Sequence, residues 1–236
     1  ARNLVEHGAL VFNIGERVEG YTNFLWTLCI AAGLAAKVPA ELSSRVLGTL
    51  FAVLSMFYLA AVMRRMRDGK ESLWDSVCAW ILAGIPGYAC WASGGLETQL
   101  FAFLCTLSLG QYIGATVDEK AGQRPRLWGI GITLGLAALT RPEGYLLCGL
   151  LGLHRLICKL RRGELLPTKE EFHLLLIFLL FTAPHMAWRR WYYGYFVPNT
   201  FYIKSSGGKG TWEQGGYYLW AVARDLKLPE SDVLGQ

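Results

Sequence analysis

Leu127-Trp128-Gly129-Ile130-Gly131-Ile132-Thr133-Leu134-Gly135-Leu136-Ala137-Ala138-Leu139-Thr140-Arg141-Pro142-Glu143-Gly144-Tyr145 runs from an apolar stretch into a charged turn. Leu146 to Leu153 then returns to apolar residues. An arginine and a glutamate two apart, at the tip of a hydrophobic hairpin, are costly to hold there. Charges among apolar segments of this length are functional-site candidates. The stretch reads as two helices joined by a functional turn, and the fold class as all-α: a polytopic transmembrane bundle.

Composition agrees. Of 236 residues, 53% are hydrophobic and 17% charged, against roughly 25% charged in soluble domains. The net charge of +5 sits in Lys/Arg clusters between apolar runs. It is a topology signal rather than a nucleic-acid signal. The cysteines, Cys29, Cys78, Cys90, Cys105, Cys148 and Cys158, lie in or beside apolar runs without Cys-x-x-Cys spacing, so they read as small buried hydrophobes. The histidines have no paired metal-ligand spacing. Walker loop, Ser–His–Asp order and nucleotide fingerprint are all missing. No metal ligands and no cofactor are evident, with a divalent metal left open.

Six spans are expected: Val46 to Met63, Leu73 to Ala89, Thr98 to Val117, Leu127 to Leu139, Tyr145 to Cys158 and Phe172 to Trp188. Tyr21 to Ala36 would reach only about 24 Å as a helix and starts with Thr22 and Asn23, so it reads as interfacial. Trp212–Leu226 reads as a second interfacial helix. Three regions result: 1–45, an outer loop with a juxtamembrane helix; 46–188, the transmembrane domain; and 189–236, an outer aromatic loop leading into a truncated C-terminal region. Loops 64–72, 118–126 and 155–171 hold twelve Lys and Arg residues, whereas turns 93–97 and 140–144 hold Arg141 alone. The positive-inside rule places the first set in the cytoplasm. The N-terminal loop, both turns and the loop from Arg189 then face outward together.

Arg141 suits a phosphate because its guanidinium donates two parallel hydrogen bonds, and Glu143 could orient it. A structural Arg–Glu pair between helix ends is the competing reading. Lys204 reads as a second phosphate contact or a solvated lysine. Glu16 and Glu19 are lesser candidates for a general base, or members of a solvated loop. Glu97 follows two glycines and suits a ligand or a helix start. Asn23, Asn199 and Tyr202 complete the candidates for substrate positioning. Arg189 and Arg190 read as anchors to lipid headgroups.

Four motifs occur in order: Gly15-Glu16-Arg17-Val18-Glu19-Gly20-Tyr21-Thr22-Asn23, Gly95-Leu96-Glu97-Thr98, Thr140-Arg141-Pro142-Glu143-Gly144, and Pro198-Asn199-Thr200-Phe201-Tyr202-Ile203-Lys204. Together they resemble the polytopic glycosyltransferases of the GT-C superfamily, and within it the mycobacterial terminal β-(1→2)-arabinofuranosyltransferases and their bacterial relatives. The resemblance covers most of residues 1–205. It implies a polyprenyl-phosphate-linked sugar donor, a glycan, lipid or protein acceptor, and a multi-pass enzyme in the plasma (inner) membrane with an extracytoplasmic active face. It also implies a catalytic Asp-rich motif after a first membrane helix. Ala1-Arg2-Asn3-Leu4 resembles the stretch just after that motif, so the chain reads as a fragment with its catalytic base expected upstream of Ala1. The family's aspartate before Pro-Asn-Thr is replaced here by Tyr195-Phe196. The expected reaction is inverting transfer of a sugar such as arabinofuranose or mannose. The rival functions are a secondary transporter or lipid-linked substrate flippase, and a non-catalytic scaffold.

Overall fold

The computed structural model describes residues 1–67, 72–164, 166–197 and 209–225. All regular structure among them is helical: α1 (Arg2–His7), α2 (Phe24–Ala35), α3 (Ala40–Met66), α4 (Trp74–Ala83), α5 (Pro86–Ser93), α6 (Thr98–Lys120), α7 (Trp128–Thr140), α8 (Glu143–Arg161), α9 (Lys169–Tyr193) and α10 (Lys209–Asp225). Chain contacts divide it into two units, Ala1–Phe196 and Val197–Gln236. α10 lies in the second unit and exposes Trp212, Leu219 and Trp220.

α7 is the centre of the first unit. It packs against α9, α6, α8 and α2, and Ile130 and Thr140 are fully buried. Its glycines make this possible. A Cβ on Gly131 would lie 2.6 Å from the Leu174 carbonyl oxygen of α9, and one on Gly135 would lie 2.8 Å from Phe181 Cβ. Small residues of this kind let membrane helices approach closely.

α3, α6 and α9 are long and apolar enough to cross a membrane. Their exposed leucines and phenylalanines, Leu50, Phe57, Leu109 and Leu180 among them, mark a membrane protein. Among the described residues three helices are long and apolar enough to cross a membrane, or four with α4 and α5 taken as one, where six spans are expected from the sequence. The expected continuous span from Leu73 to Ala89 breaks at Gly84-Ile85, and α4 and α5 meet at 68°. Pro86 is the cause. It takes the first turn of α5 and forces Ile85 into extended backbone.

Charge pairing gathers helix ends. At one end, Arg65 donates to Asp118 at 2.8 and 2.9 Å, Arg67 pairs with the buried Asp75 at 3.3 Å, and Arg155 and Arg162 each reach Glu119 at 3.2 Å. Glu171 completes the capping box of α9 with Thr168 and also binds Lys159 at 2.8 Å. The basic loops therefore meet at one end. At the other end stand the start of α2, the start of α6, the α7–α8 turn and the end of α9. Both ends of α2 contact this second region. Asn23 meets Glu97, while Gly33 abuts Ser43 next to Ser44, the neighbour of Gly95.

Gly144 fixes the α7–α8 turn. A Cβ there would lie 2.3 Å from the Ala138 nitrogen and 2.6 Å from its Cα. Backbone cannot yield as a side-chain tip does, so Gly144→Ala is expected to destabilise by about 1–3 kcal/mol. Thermal unfolding in detergent checks this, and an unchanged midpoint would contradict the packing.

Candidate functional site

Asn23, Glu97, Arg141 and Glu143 form one hydrogen-bonded chain. Asn23 is the N-cap of α2, Glu97 the N-cap of α6, and Arg141 the C-cap of α7, with Glu143 the first residue of α8. Each sits at a helix end because a Gly or Pro nearby interrupts the apolar run: Gly20, Gly95 and Pro142. Asn23 Nδ2 donates to Glu97 Oε2 at 2.8 Å, and Thr27 Oγ1 donates to Asn23 Oδ1 at 3.2 Å. Arg141 Nη1 donates to Glu97 Oε1 at 3.2 Å. Its Nη2 and Nε donate to the two oxygens of Glu143 at 3.0 and 3.4 Å. The guanidinium also lies over the Phe101 ring, 5.8 Å from its centre.

Three of the five N–H donors of Arg141 are engaged in these bonds. Its side chain is 35% exposed while Glu97 is 12% exposed. The half-buried carboxylate of Glu97 thus anchors an arginine whose outer edge stays accessible. The hydrogen bond to Glu143 raises the Arg141 pKa, and the same bond holds the Glu143 carboxyl below the usual range. Both groups are charged across the physiological range.

A second cluster shares the N-terminal loop. Glu19 is buried, and its Oε1 accepts from Arg189 Nε at 3.1 Å, with Nη2 at 3.0 Å. Burial raises the Glu19 pKa against the lowering pull of Arg189. Arg189 Nη1 also donates to the Phe196 carbonyl at 3.4 Å. The hydroxyls of Tyr21 and Tyr193 are 3.2 Å apart, and Tyr193 donates to the Leu10 carbonyl. Burial, then the bond to Tyr193, raises the Tyr21 pKa. His185 packs against Phe24 with ring centres 4.2 Å apart and tilted by 34°, and its buried Nε2 has no hydrogen-bond partner among the described residues. A half-open pocket of about 230 Å³, lined by Asn3, Phe12, Tyr21 and Thr27 among others, borders both clusters.

The chain resembles two arabinofuranosyltransferases. One is the terminal β-(1→2)-arabinofuranosyltransferase of Mycobacterium tuberculosis, 28% identical over 96% of this chain and 36% of the relative. The other carries the same name in Corynebacterium glutamicum, 27% identical over 99% of this chain and 35% of the relative. Both are, by name, glycosyltransferases. The chain spans about a third of the length of these arabinofuranosyltransferases. No family model and no solved structure matches.

The structure therefore brings Asn23, Glu97, Arg141 and Glu143 together and leaves Glu16 exposed in its loop. Asn199, Tyr202 and Lys204 lie outside the described residues. Arg189 corrects the sequence reading. It is buried in an ion pair rather than anchored at headgroups, while the neighbouring Arg190 is exposed over Phe196. The signal was spacing: Phe178, Thr182, His185, Arg189 and Tyr193 all lie on the buried face of α9 at helical intervals.

Proposed function

We propose that the chain is part of a membrane glycosyltransferase. It transfers a pentose such as arabinofuranose, or a hexose such as mannose, from a polyprenyl-phosphate donor to a glycan, lipid or protein acceptor on the outer face of the cell membrane. The observation that carries this reading is the Asn23–Glu97–Arg141–Glu143 chain. Three segments widely separated in sequence converge on one accessible guanidinium, at the end of the bundle opposite the basic loops. The relatives' names supply the sugar-transfer chemistry.

In this reading α7 and α8 cross a bilayer together with α3, α6, α9 and the broken α4–α5 pair, giving a GT-C-like bundle. α2 lies at the interface. The acceptor oxygen attacks the anomeric carbon as the bond from that carbon to the phosphate oxygen breaks. The electron pair leaves with the phosphate, and the hydroxyl proton passes to a general base. Attack from the far side inverts the centre. Arg141 stabilises the charge gathering on the leaving phosphate. The trio of Arg141, Glu97 and Glu143 carries a formal charge of −1, so the phosphate needs a second cation, a role assigned to Lys204. Asn23, Asn199 and Tyr202 position the sugars. Glu19 is tied to Arg189 and serves the loop, and the base is assigned to a carboxylate beyond these 236 residues.

The test is donor turnover by the full-length protein in proteoliposomes, supplied with polyprenyl-phosphate-linked pentose or hexose. Sugar transfer is expected. Movement of the lipid-linked sugar across the bilayer without transfer would replace this reading with the transporter. Orientation is tested separately in a cysteine-depleted background. An impermeant thiol reagent applied outside intact cells is expected to label Leu96→Cys and spare Glu164→Cys, and the reverse pattern would overturn the topology.

A further inference from the structure

α8 and α9 both pack along α7 and meet one another through side chains, Arg155 and Lys159 on Glu171 and the Tyr145 ring on Phe178. Between them runs a half-open cavity of about 480 Å³, inside the range of roughly 300–1,000 Å³ typical of ligand sites. Ile130 and Leu134 of α7 floor it, with Leu151 of α8 and Leu174 of α9 on the walls. Gly149 and Gly152 line it too, and a Cβ built on either meets nothing within 4 Å. Those glycines hold the trough open rather than allowing a close helix contact. Exposed leucines line it as well, Leu156 on α8 and Leu175 on α9, so its open side faces lipid.

One end of this trough is charged. Arg155, Lys159 and Glu171 line it there. Arg155 Nη1 donates to Glu119 at 3.2 Å and its Nε to Glu171. Lys159 Nζ donates to Glu171 at 2.8 Å, and Arg162 Nη1 to Glu119 at 3.2 Å. Three cations share two carboxylates, and the exposed Arg161 stands beside them. An apolar trough ending in surplus positive charge matches a molecule with an apolar chain and an anionic head.

We propose that the α8–α9 cleft binds an anionic phospholipid, with one acyl chain in the trough and the phosphate at Arg155 and Lys159, where Arg162 adds its charge through the shared Glu119. Basic pockets between membrane helices on the cytoplasmic side take such headgroups, and guanidinium groups suit phosphate oxygens. The site is distinct from the donor site. From Glu143 to Arg155 is twelve residues of α8, about 18 Å along the helix axis. Placing the headgroup in the cytoplasmic leaflet rests on the orientation proposed above. The preference for an anionic head rests on the charge count alone.

The experiment uses the delipidated full-length protein in detergent, with lipid retention read by native mass spectrometry. Phosphatidylglycerol, phosphatidylcholine and decaprenyl phosphate are offered at equal concentration. Phosphatidylglycerol is expected to be retained roughly fivefold over phosphatidylcholine, as one surplus cation near the headgroup would give. Gly152→Phe fills the trough and is expected to abolish that retention. Gly149→Leu, at a second open position, serves if the first variant fails to fold. Arg162→Gln is expected to erase the headgroup preference while the trough still takes a chain. Equal retention of both phospholipids, or undiminished retention in the filled variants, would overturn the proposal. Stronger retention of decaprenyl phosphate would also overturn it, making the trough a donor-tail groove. Reversed cysteine labelling would sink the orientation alone and leave lipid retention standing.

Discussion

Arg141→Lys is expected to lower donor turnover by about 10²-fold, the scale on which loss of one preorganised charge-stabilising donor is felt. The guanidinium reaches Glu97 with one nitrogen and both oxygens of Glu143 with two others. A lysine ammonium is a compact point charge on a flexible stem. It can satisfy one carboxylate well or stand between two, but it cannot bridge both and still present an ordered edge to a phosphate. Net charge is kept, and the position is 35% exposed, so the fold is expected to survive. That separates a lost binding geometry from a lost structure. Steady-state turnover of the full-length protein, with its thermal midpoint as control, makes the measurement. Near-normal rate and donor affinity would remove Arg141 from the phosphate and leave it as a tie between helix ends.

Glu19→Gln should act on stability instead. Glu19 and Arg189 are both buried, 170 residues apart, and joined at 3.0–3.1 Å. Burial already raises the Glu19 pKa against the pull of Arg189, so desolvation offsets much of the attraction. Such a pair contributes little net stability when intact, yet removing one partner strands a buried charge at a cost of about 3–5 kcal/mol. The variant is expected to unfold roughly 6–20 °C lower in detergent. The double variant Glu19→Gln with Arg189→Met should recover most of that loss, because no charge is then left unpaired. A single-variant midpoint equal to wild type would show that the pair does not hold the N-terminal loop on α9.

Much of this site was legible in the sequence. Charge counting grouped the 93–97 and 140–144 turns, and Glu97 and Arg141 do meet. The segment 21–36 looked too short to span, and α2 has twelve residues with both ends at one region of the bundle. Pro86 was visible as well, but an apolar run continuing through it hid the 68° bend. Arg189 was hidden differently, since beside Arg190 and several aromatics it resembled a headgroup anchor. Only the α9 periodicity distinguished the buried arginine from the exposed one.

By itself the sequence determined where the apolar runs lie, where they stop, and which loops carry positive charge. These follow from local chemistry: side-chain transfer energies, proline geometry and charge. It could not determine which apolar helix faces lipid and which faces protein, because hydrocarbon tails and a helix interface are equally apolar. The exposed Leu50 and Leu54 of α3 and the enclosed Ile130 and Leu134 of α7 are equally apolar side chains. Tertiary structure decided that α7 sits at the centre, that its glycines admit α9, and that α8 and α9 leave a trough between them. It also decided the charge partners. The turn Arg141-Pro142-Glu143 carries its own local pair, but the half-buried carboxylate that fixes it, Glu97, arrives from another helix. That pairing depends on how the helices pack, and packing is a property of the whole chain rather than of any stretch.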